Sequence, residues 1–368
     1  MSLTIGAPAA PPGEAVARAG EWFLRSGIQE EHGGVARYHF IAERRNAGIS
    51  TEITGYTVSA LLELHERTGA QEYLEGARRA GDFLCRAWDE EAQAMPFEWG
   101  ANGAAPRLSY FFDNGIIARG LLRLWRATGV EKYRLTAERC GESMERDFVN
   151  SRDIHAILVL PSKQALEGDG RWSSSSGCYQ LKSALAWLDL AEVAGEGRLA
   201  AVFDRALQQG LATHGEFLNA APDDPRRMDR LHAYSYFLEA LLARPESQAV
   251  REALQQGIAR VAAELRRIRA EFERSDVNAQ LLRVRLWADA LGLVPLDERA
   301  AGEEAQRAAA YQMISSDPAT DGGFNFGSRR GSLSNYANPV STAFCLQALA
   351  MREERQNGGL KTPWHRLI

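Results

Sequence analysis

The chain has 368 residues, 45% of them hydrophobic and 25% charged, as in an ordinary globular protein. Its 43 basic and 48 acidic residues leave a net charge of −5, which argues against a general nucleic-acid binder. No apolar run is long enough to cross a bilayer, and the start lacks the basic-then-apolar pattern of a leader, so the expectation is a cytoplasmic protein without a membrane partner.

In chain order, the Ala/Pro-rich stretch 1–13 reads as a disordered lead-in. Residues 14–354 read as one helical domain and 355–368 as a tail. Glu14 to Gly27 carries a helical apolar stripe through Val16, Ala19, Trp22 and Phe23. A glycine-rich turn, Glu31-His-Gly-Gly-Val-Ala-Arg-Tyr, leads to a helix from Thr51 that stops at Gly69. Glu72 to Trp88 follows as an amphipathic partner. The plan then repeats. Phe112-Asp-Asn-Gly opens a helix that ends at Gly129, and Glu131 to Phe148 is its charged partner. Arg67-Thr-Gly-Ala-Gln-Glu-Tyr and Ala127-Thr-Gly-Val-Glu-Lys-Tyr align closely. Further openings fall at Tyr179, Leu231, Ser275 and Asn338, with partners from about Arg198, from Gln248 to Glu273, and from Leu296 to Ile314. Asp321-Gly-Gly-Phe before the last opening echoes His32-Gly-Gly-Val before the first.

Helices apolar nearly all round belong inside, and those with a charged stripe face water. The count is six inner helices, five outer ones after them, and one helix before the first pair. If that first helix serves as the sixth outer helix, the pairs close a ring of stacked hairpins. The expected fold is all-α, an (α/α)6 toroid. Arg119 and Arg123, on the second inner helix, do not fit a wholly apolar wall unless they pair with carboxylates.

In such a ring all inner-helix N-termini point to one end. Each presents unpaired N–H groups and a partial positive charge, a setting suited to anionic groups and hydroxyls. Glu52, Asp113, His232 and Asp276 lie at these openings and are the candidate catalytic residues, expected to face a common hollow. Ser50 or Thr51 suffices to cap the first inner helix, which leaves Glu52 without a structural duty. Asp113 and Asp276 have a competing role as first-turn acids. His232 stands among tyrosines, as a proton carrier or as a structural residue.

Candidate substrate-binding residues at the same openings are Tyr56, Asn114, Tyr179, Tyr234, Tyr236, Asn278, Asn335, Tyr336 and Asn338. From the loops come Trp99, Trp172 and Phe324, whose aromatic faces suit sugar rings or isoprenoids equally, or simply pack. Arg37, Arg171 and Arg329 form part of a cationic rim that hints at an anionic ligand such as a uronate or a phosphate. Neither a phosphate-binding loop nor a dinucleotide fingerprint appears. Cys85, Cys140, Cys178 and Cys345 have no zinc-site spacing. No cofactor or metal is expected.

Glu21-Trp-Phe-Leu…His32-Gly-Gly-Val-Ala-Arg-Tyr…Thr51-Glu-Ile-Thr-Gly-Tyr resembles the opening of (α/α)6-toroid proteins, among them the six-hairpin glycosidases and related polysaccharide lyases and epimerases. Asp321-Gly-Gly-Phe…Ser341-Thr-Ala-Phe-Cys-Leu is similar to the repeat of the terpene cyclase and prenyltransferase toroids. The aspartate-rich motif of the former and the zinc ligands of the latter are missing. The resemblance therefore implies a carbohydrate-active enzyme acting on an oligosaccharide, uronate-containing ones included, by glycosidase-like, lyase or epimerase chemistry. The alternatives are an isoprenoid enzyme and a non-catalytic saccharide-binding or assembly protein.

Overall fold

The computed structural model describes residues 11–100, 107–166, 168, 171–195, 197–219, 226–361 and 363–368. Most of the expected lead-in, 1–10, and part of the third loop therefore lie outside the described residues. Twelve α-helices are present among those described: α1 Pro12–Arg25, α2 Thr51–Thr68, α3 Gln71–Ala87, α4 Phe111–Thr128, α5 Glu131–Ser143, α6 Leu181–Ala194, α7 Gly197–Phe217, α8 Arg227–Leu241, α9 Gln248–Ile268, α10 Ser275–Ala290, α11 Glu298–Ala309 and α12 Pro339–Gln356. None is long and apolar enough to cross a membrane.

The chain divides into two compact units. The early unit comprises Gln29–Arg37 and Ala47–Phe217, and the late unit Met1–Ile28, Tyr38–Asn46 and Leu218–Ile368. In the early unit α2 packs on α3, α4 on α5 and α6 on α7, with α2, α4 and α6 side by side. In the late unit α8 packs on α9, α10 on α11, and α12 on α1, with α8, α10 and α12 side by side. The helix that precedes all the others is thus the outer partner of the last inner one, as the helix count anticipates. The expected tail is packed: α12 runs to Gln356, and Leu367 and Ile368 are buried.

Contacts along the early unit's inner helices run in matched order. Gly55 faces Ile117 near the start, and Arg123 reaches Glu63 and Glu66 (2.8 and 3.0 Å) near the end. Ser183 Oγ donates to the Phe112 carbonyl, and further along Arg119 pairs with Asp189 at 2.9 Å. The three helices are therefore parallel, with their N-termini at one end. These pairs also account for Arg119 and Arg123. Each bridges two inner helices and meets a carboxylate, the condition under which a buried charge is tolerated. In the late unit, Arg283 of α10 bridges Glu239 of α8 and Gln347 of α12 in the same way.

The two glycine-pair loops use the same device. Gly33, with φ +95°, lies against the Arg79 carbonyl, and its neighbour Gly34 against Phe83, both on α3. Gly322, with φ +84°, lies against the Arg18 carbonyl, and Gly323 against Trp22, both on α1. The next residue then donates its N–H to a threonine in the following inner helix: Val35 to Thr54 and Phe324 to Thr342, at 3.0 and 2.9 Å. Each threonine in turn donates to the carbonyl of its N-cap residue, Ser50 or Asn338. Asn114 and Asn278 hold the Tyr110 and Arg274 carbonyls in the same manner. Four three-stranded antiparallel sheets deliver the chain to these openings through Ile49–Ser50, Arg107–Tyr110, Phe272–Arg274 and Tyr336–Ala337.

Several expected boundaries change; the outer helix expected from Leu296 to Ile314 spans only Glu298–Ala309. The fourth inner helix begins at Arg227, not Leu231, because its first turn is polar and hides the apolar period; His232 therefore sits in its second turn. The outer helix from Gln248 stops at Ile268, and Glu273 lies in a strand instead.

Close backbone contact makes a contrast at two helical glycines. A Cβ on Gly115 would meet the Ser183 carbonyl oxygen at 2.3 Å, whereas one on Gly302 of α11 meets nothing within 4 Å. Gly115→Ala is expected to lower stability by about 2 kcal/mol or more through forced backbone shifts. Gly302→Ala should raise it by roughly 0.5–1 kcal/mol by removing unfolded-state freedom. Urea denaturation midpoints of the two variants check both signs.

Candidate active site

The early unit brings Glu52 and Asp113 together. Ser50 caps α2, its hydroxyl accepting from Ile53 N–H at 3.3 Å, so Glu52 is released from capping as the sequence suggests. Asp113 sits in the first turn of α4, whose N-cap residue Tyr110 makes no side-chain cap bond. Asp113 is buried, and its Oδ2 has no hydrogen-bond partner among the described residues. Glu52 is partly open at the residue level, but its carboxyl end is enclosed. Burial raises Glu52 to about 7, with Arg37 opposing. Burial, then the charge of Glu52, holds Asp113 well above the usual carboxylate range, again against Arg37. Two neighbouring enclosed carboxyls resist ionising together, because each charge disfavours the other.

Arg37 is ion-paired to Glu98 and lies over the Phe97 ring at 4.7 Å. Phe97 in turn meets Tyr110 at 4.8 Å. Tyr110 bonds to the exposed Arg171, and burial followed by the charge of Asp113 raises its phenol. Trp172 and Tyr179 stand edge to face at 4.9 Å, with Phe112 about 6 Å from each ring (6.3 and 6.0 Å). Burial and then Asp113 raise the Tyr179 phenol. Its hydroxyl donates to the Ser175 carbonyl. The result is a carboxyl pair flanked by two arginines and a group of aromatic rings.

The late unit brings His232 and Asp276 together in a different electrostatic setting. Arg274 donates twice to Asp276, at 3.0 and 2.6 Å, and once to Asp229 at 2.8 Å, with its Cζ 4.3 Å from the Phe326 ring centroid. Although burial opposes it, this pairing holds Asp276 below its ordinary value. His232 Nδ1 lies 2.7 Å from Gln280 Oε1 and 3.9 Å from Asp276. Burial, then the charge of Arg274, pushes His232 down to about 3, so the imidazole is neutral at physiological pH. Tyr236 meets His232 at 4.6 Å, and Tyr336 stacks between Tyr38 and Phe326 at 4.7 and 5.2 Å.

Several other candidates have structural duties. Tyr234 points away from His232, over Gly257 of α9, as residues two apart on a helix must diverge. Asn338 caps α12 through Ser341 N–H, and Phe324 is fully buried. The exposed Asn335 ties Ala42 and Glu43. Asn114 and Asn278 hold the corners before their helices, and Tyr56 is buried in α2. Trp99 is exposed beside Phe83, and Arg329 lies over Phe272 at 3.9 Å. Glu98, Asp229, Arg274 and Gln280 went unread in the sequence. Asp229 and Gln280 had a legible signal, since they fall three and four residues from His232 and Asp276 on their helices.

No protein-family model matches the chain, and no curated protein matches it. Solved structures do. A sugar epimerase from a ruminal bacterium superposes with a TM-score of 0.69 at 12% identity, over 92% of this chain and 97% of that one. Cellobiose 2-epimerase from Spirochaeta thermophila DSM 6192 gives 0.67 at 13% identity, over 93% and 97%. A D-mannose isomerase gives 0.67 at 9% identity, over 92% and 97%. At such identities the likeness is one of architecture, and the chain has the (α/α)6-toroid fold of the six-hairpin glycosidase-like proteins.

Proposed function

We propose that the protein is a carbohydrate-active enzyme acting on an oligosaccharide, with Glu52 and Asp113 as its acid–base pair. The observation that carries this reading is the enclosed carboxyl pair, with Glu52 titrating near neutrality and an Asp113 oxygen that has no hydrogen-bond partner among the described residues. Near pH 7 such a pair holds one proton between two groups. The protonated member donates to a leaving glycosidic oxygen or to a sugar carbon, while the ionised member accepts a proton or activates water. The half-buried ring of Trp172, set edge to face on the buried Tyr179, offers an apolar face to a sugar. Arg37 and Arg171 favour a substrate with a negative charge, such as a uronate. The two sugar epimerases and the sugar isomerase among the fold neighbours support the choice of substrate class.

The test is incubation of the purified protein with a panel of neutral and acidic oligosaccharides, with products resolved by anion-exchange chromatography. Glu52→Gln and Asp113→Asn are each expected to lower kcat/KM by about 10²–10⁴-fold, the usual weight of a positioned acid or base. Turnover that survives both substitutions, or saccharide binding without turnover, overturns the assignment.

Stability carries a second signature. The folded value of Glu52, about 7, lies above its ordinary value of 4.5, so the native state binds the extra proton. Stability from this group is complete below pH 4.5 and is lost as pH rises through 7. Glu52→Gln should therefore raise the melting temperature at pH 8 relative to the parent. The gain should be on the order of 1–3 kcal/mol and should vanish near pH 4. Paired thermal scans at the two pH values measure it.

A further inference from the structure

The late unit contains a site that holds a short backbone segment. Gln347 of α12 reads the backbone of residues 366–368 in both directions. Its Oε1 accepts from Ile368 N–H at 3.0 Å, and its Nε2 donates to the Arg366 carbonyl at 3.0 Å. Arg283 of α10, fully buried, donates through Nη1 to the Ile368 carbonyl at 2.9 Å and to Gln347 Oε1 at 3.0 Å. The same guanidinium is paired with Glu239 of α8 and lies 4.0 Å from the Phe344 ring centroid. Leu367 and Ile368 are each only 3% exposed. The site thus combines an amide clamp, a guanidinium and apolar burial, and it joins three inner helices through one short segment.

We propose that this is a peptide-binding site, filled in cis by residues 366–368 and able to take a peptide of the same sequence in trans once that segment is withdrawn. The recognised chemistry is an extended segment with two adjacent apolar side chains and a carbonyl facing a buried arginine. A second copy of the chain carries the same segment, so exchange between copies follows from the same contacts. In the intact chain the tether keeps the segment at an effective concentration on the order of 1 mM, which excludes a competitor.

The experiment uses the chain with Leu367→Asp, which places a charge on a side chain that is only 3% exposed. The probe is a synthetic hexapeptide of residues 363–368, fluorescently labelled at its amino end and followed by anisotropy. The expected result is a variant of parental helicity by circular dichroism that captures the peptide at least about tenfold more tightly than the intact chain. A control peptide with Asp at the position of Leu367 should not bind. A folded variant that fails to capture the peptide overturns the proposal, as does equal binding by the intact chain or by the control peptide. A variant that loses its helix also overturns it, because the segment is then an inseparable part of the core. None of these readouts involves saccharide turnover, so the outcome is independent of the reading of Glu52 and Asp113.

Discussion

Backbone proximity between parallel inner helices is the constraint from which the early unit follows. Gly55 faces the Ile117 backbone, Gly120 faces the Gly55 carbonyl, and Gly115 faces Ser183. Side chains at these positions would hold α2, α4 and α6 further apart. With glycine there, the first turns of α2 and α4 lie close enough for the charges of Glu52 and Asp113 to couple. The altered proton affinity of this pair comes from burial first, and at Asp113 the close approach of the helices adds the charge of Glu52. Arg37 tempers the effect but is itself engaged by Glu98, so its charge is only partly available to the pair.

The late unit solves the burial of polar groups differently. Arg274 meets two aspartates, and Arg283 meets a glutamate, an amide and a carbonyl. A buried charge without such partners would cost several kcal/mol, and pairing offsets this only with good hydrogen-bond geometry. The bidentate contact of Arg274 with Asp276 has that geometry. It also leaves Asp276 ionised and His232 neutral, whereas burial raises the proton affinity of the carboxyls at the α2 and α4 openings. Similar positions on successive inner helices therefore carry different chemistry, because the neighbouring residue differs: Arg274 precedes α10, while Tyr110 precedes α4.

Helix starts marked by Ser50 and Asn338 and stops marked by Gly69 and Gly129 were legible, because a cap acts through its immediate neighbours. The role of α1 was legible from the helix count, and the capping of α2 by Ser50 instead of Glu52 from the residue types at that start. The start of α8 was not, since Arg227, Asp229 and Arg230 break the apolar period that a sequence displays. Nor were the partners of Arg119, Arg123 and Arg283 legible, because they lie some 44–70 residues away on other helices. Tyr234 shows the limit of reading by company. It shares a segment with His232 and Tyr236, yet the helical repeat turns it toward α9.

The glycine-pair clamp on α1 has a consequence for biosynthesis. The buried face of α1, including Ala19, Trp22 and Phe23, packs against elements that leave the ribosome some 300 residues later, among them Ala319 and Gly323. Closing so long a loop is slow. Nearly all of the early unit, by contrast, is one continuous run that ends at Phe217. Translation therefore completes the early unit while the first helix still waits with its apolar stripe uncovered, a nascent-chain surface open to aggregation.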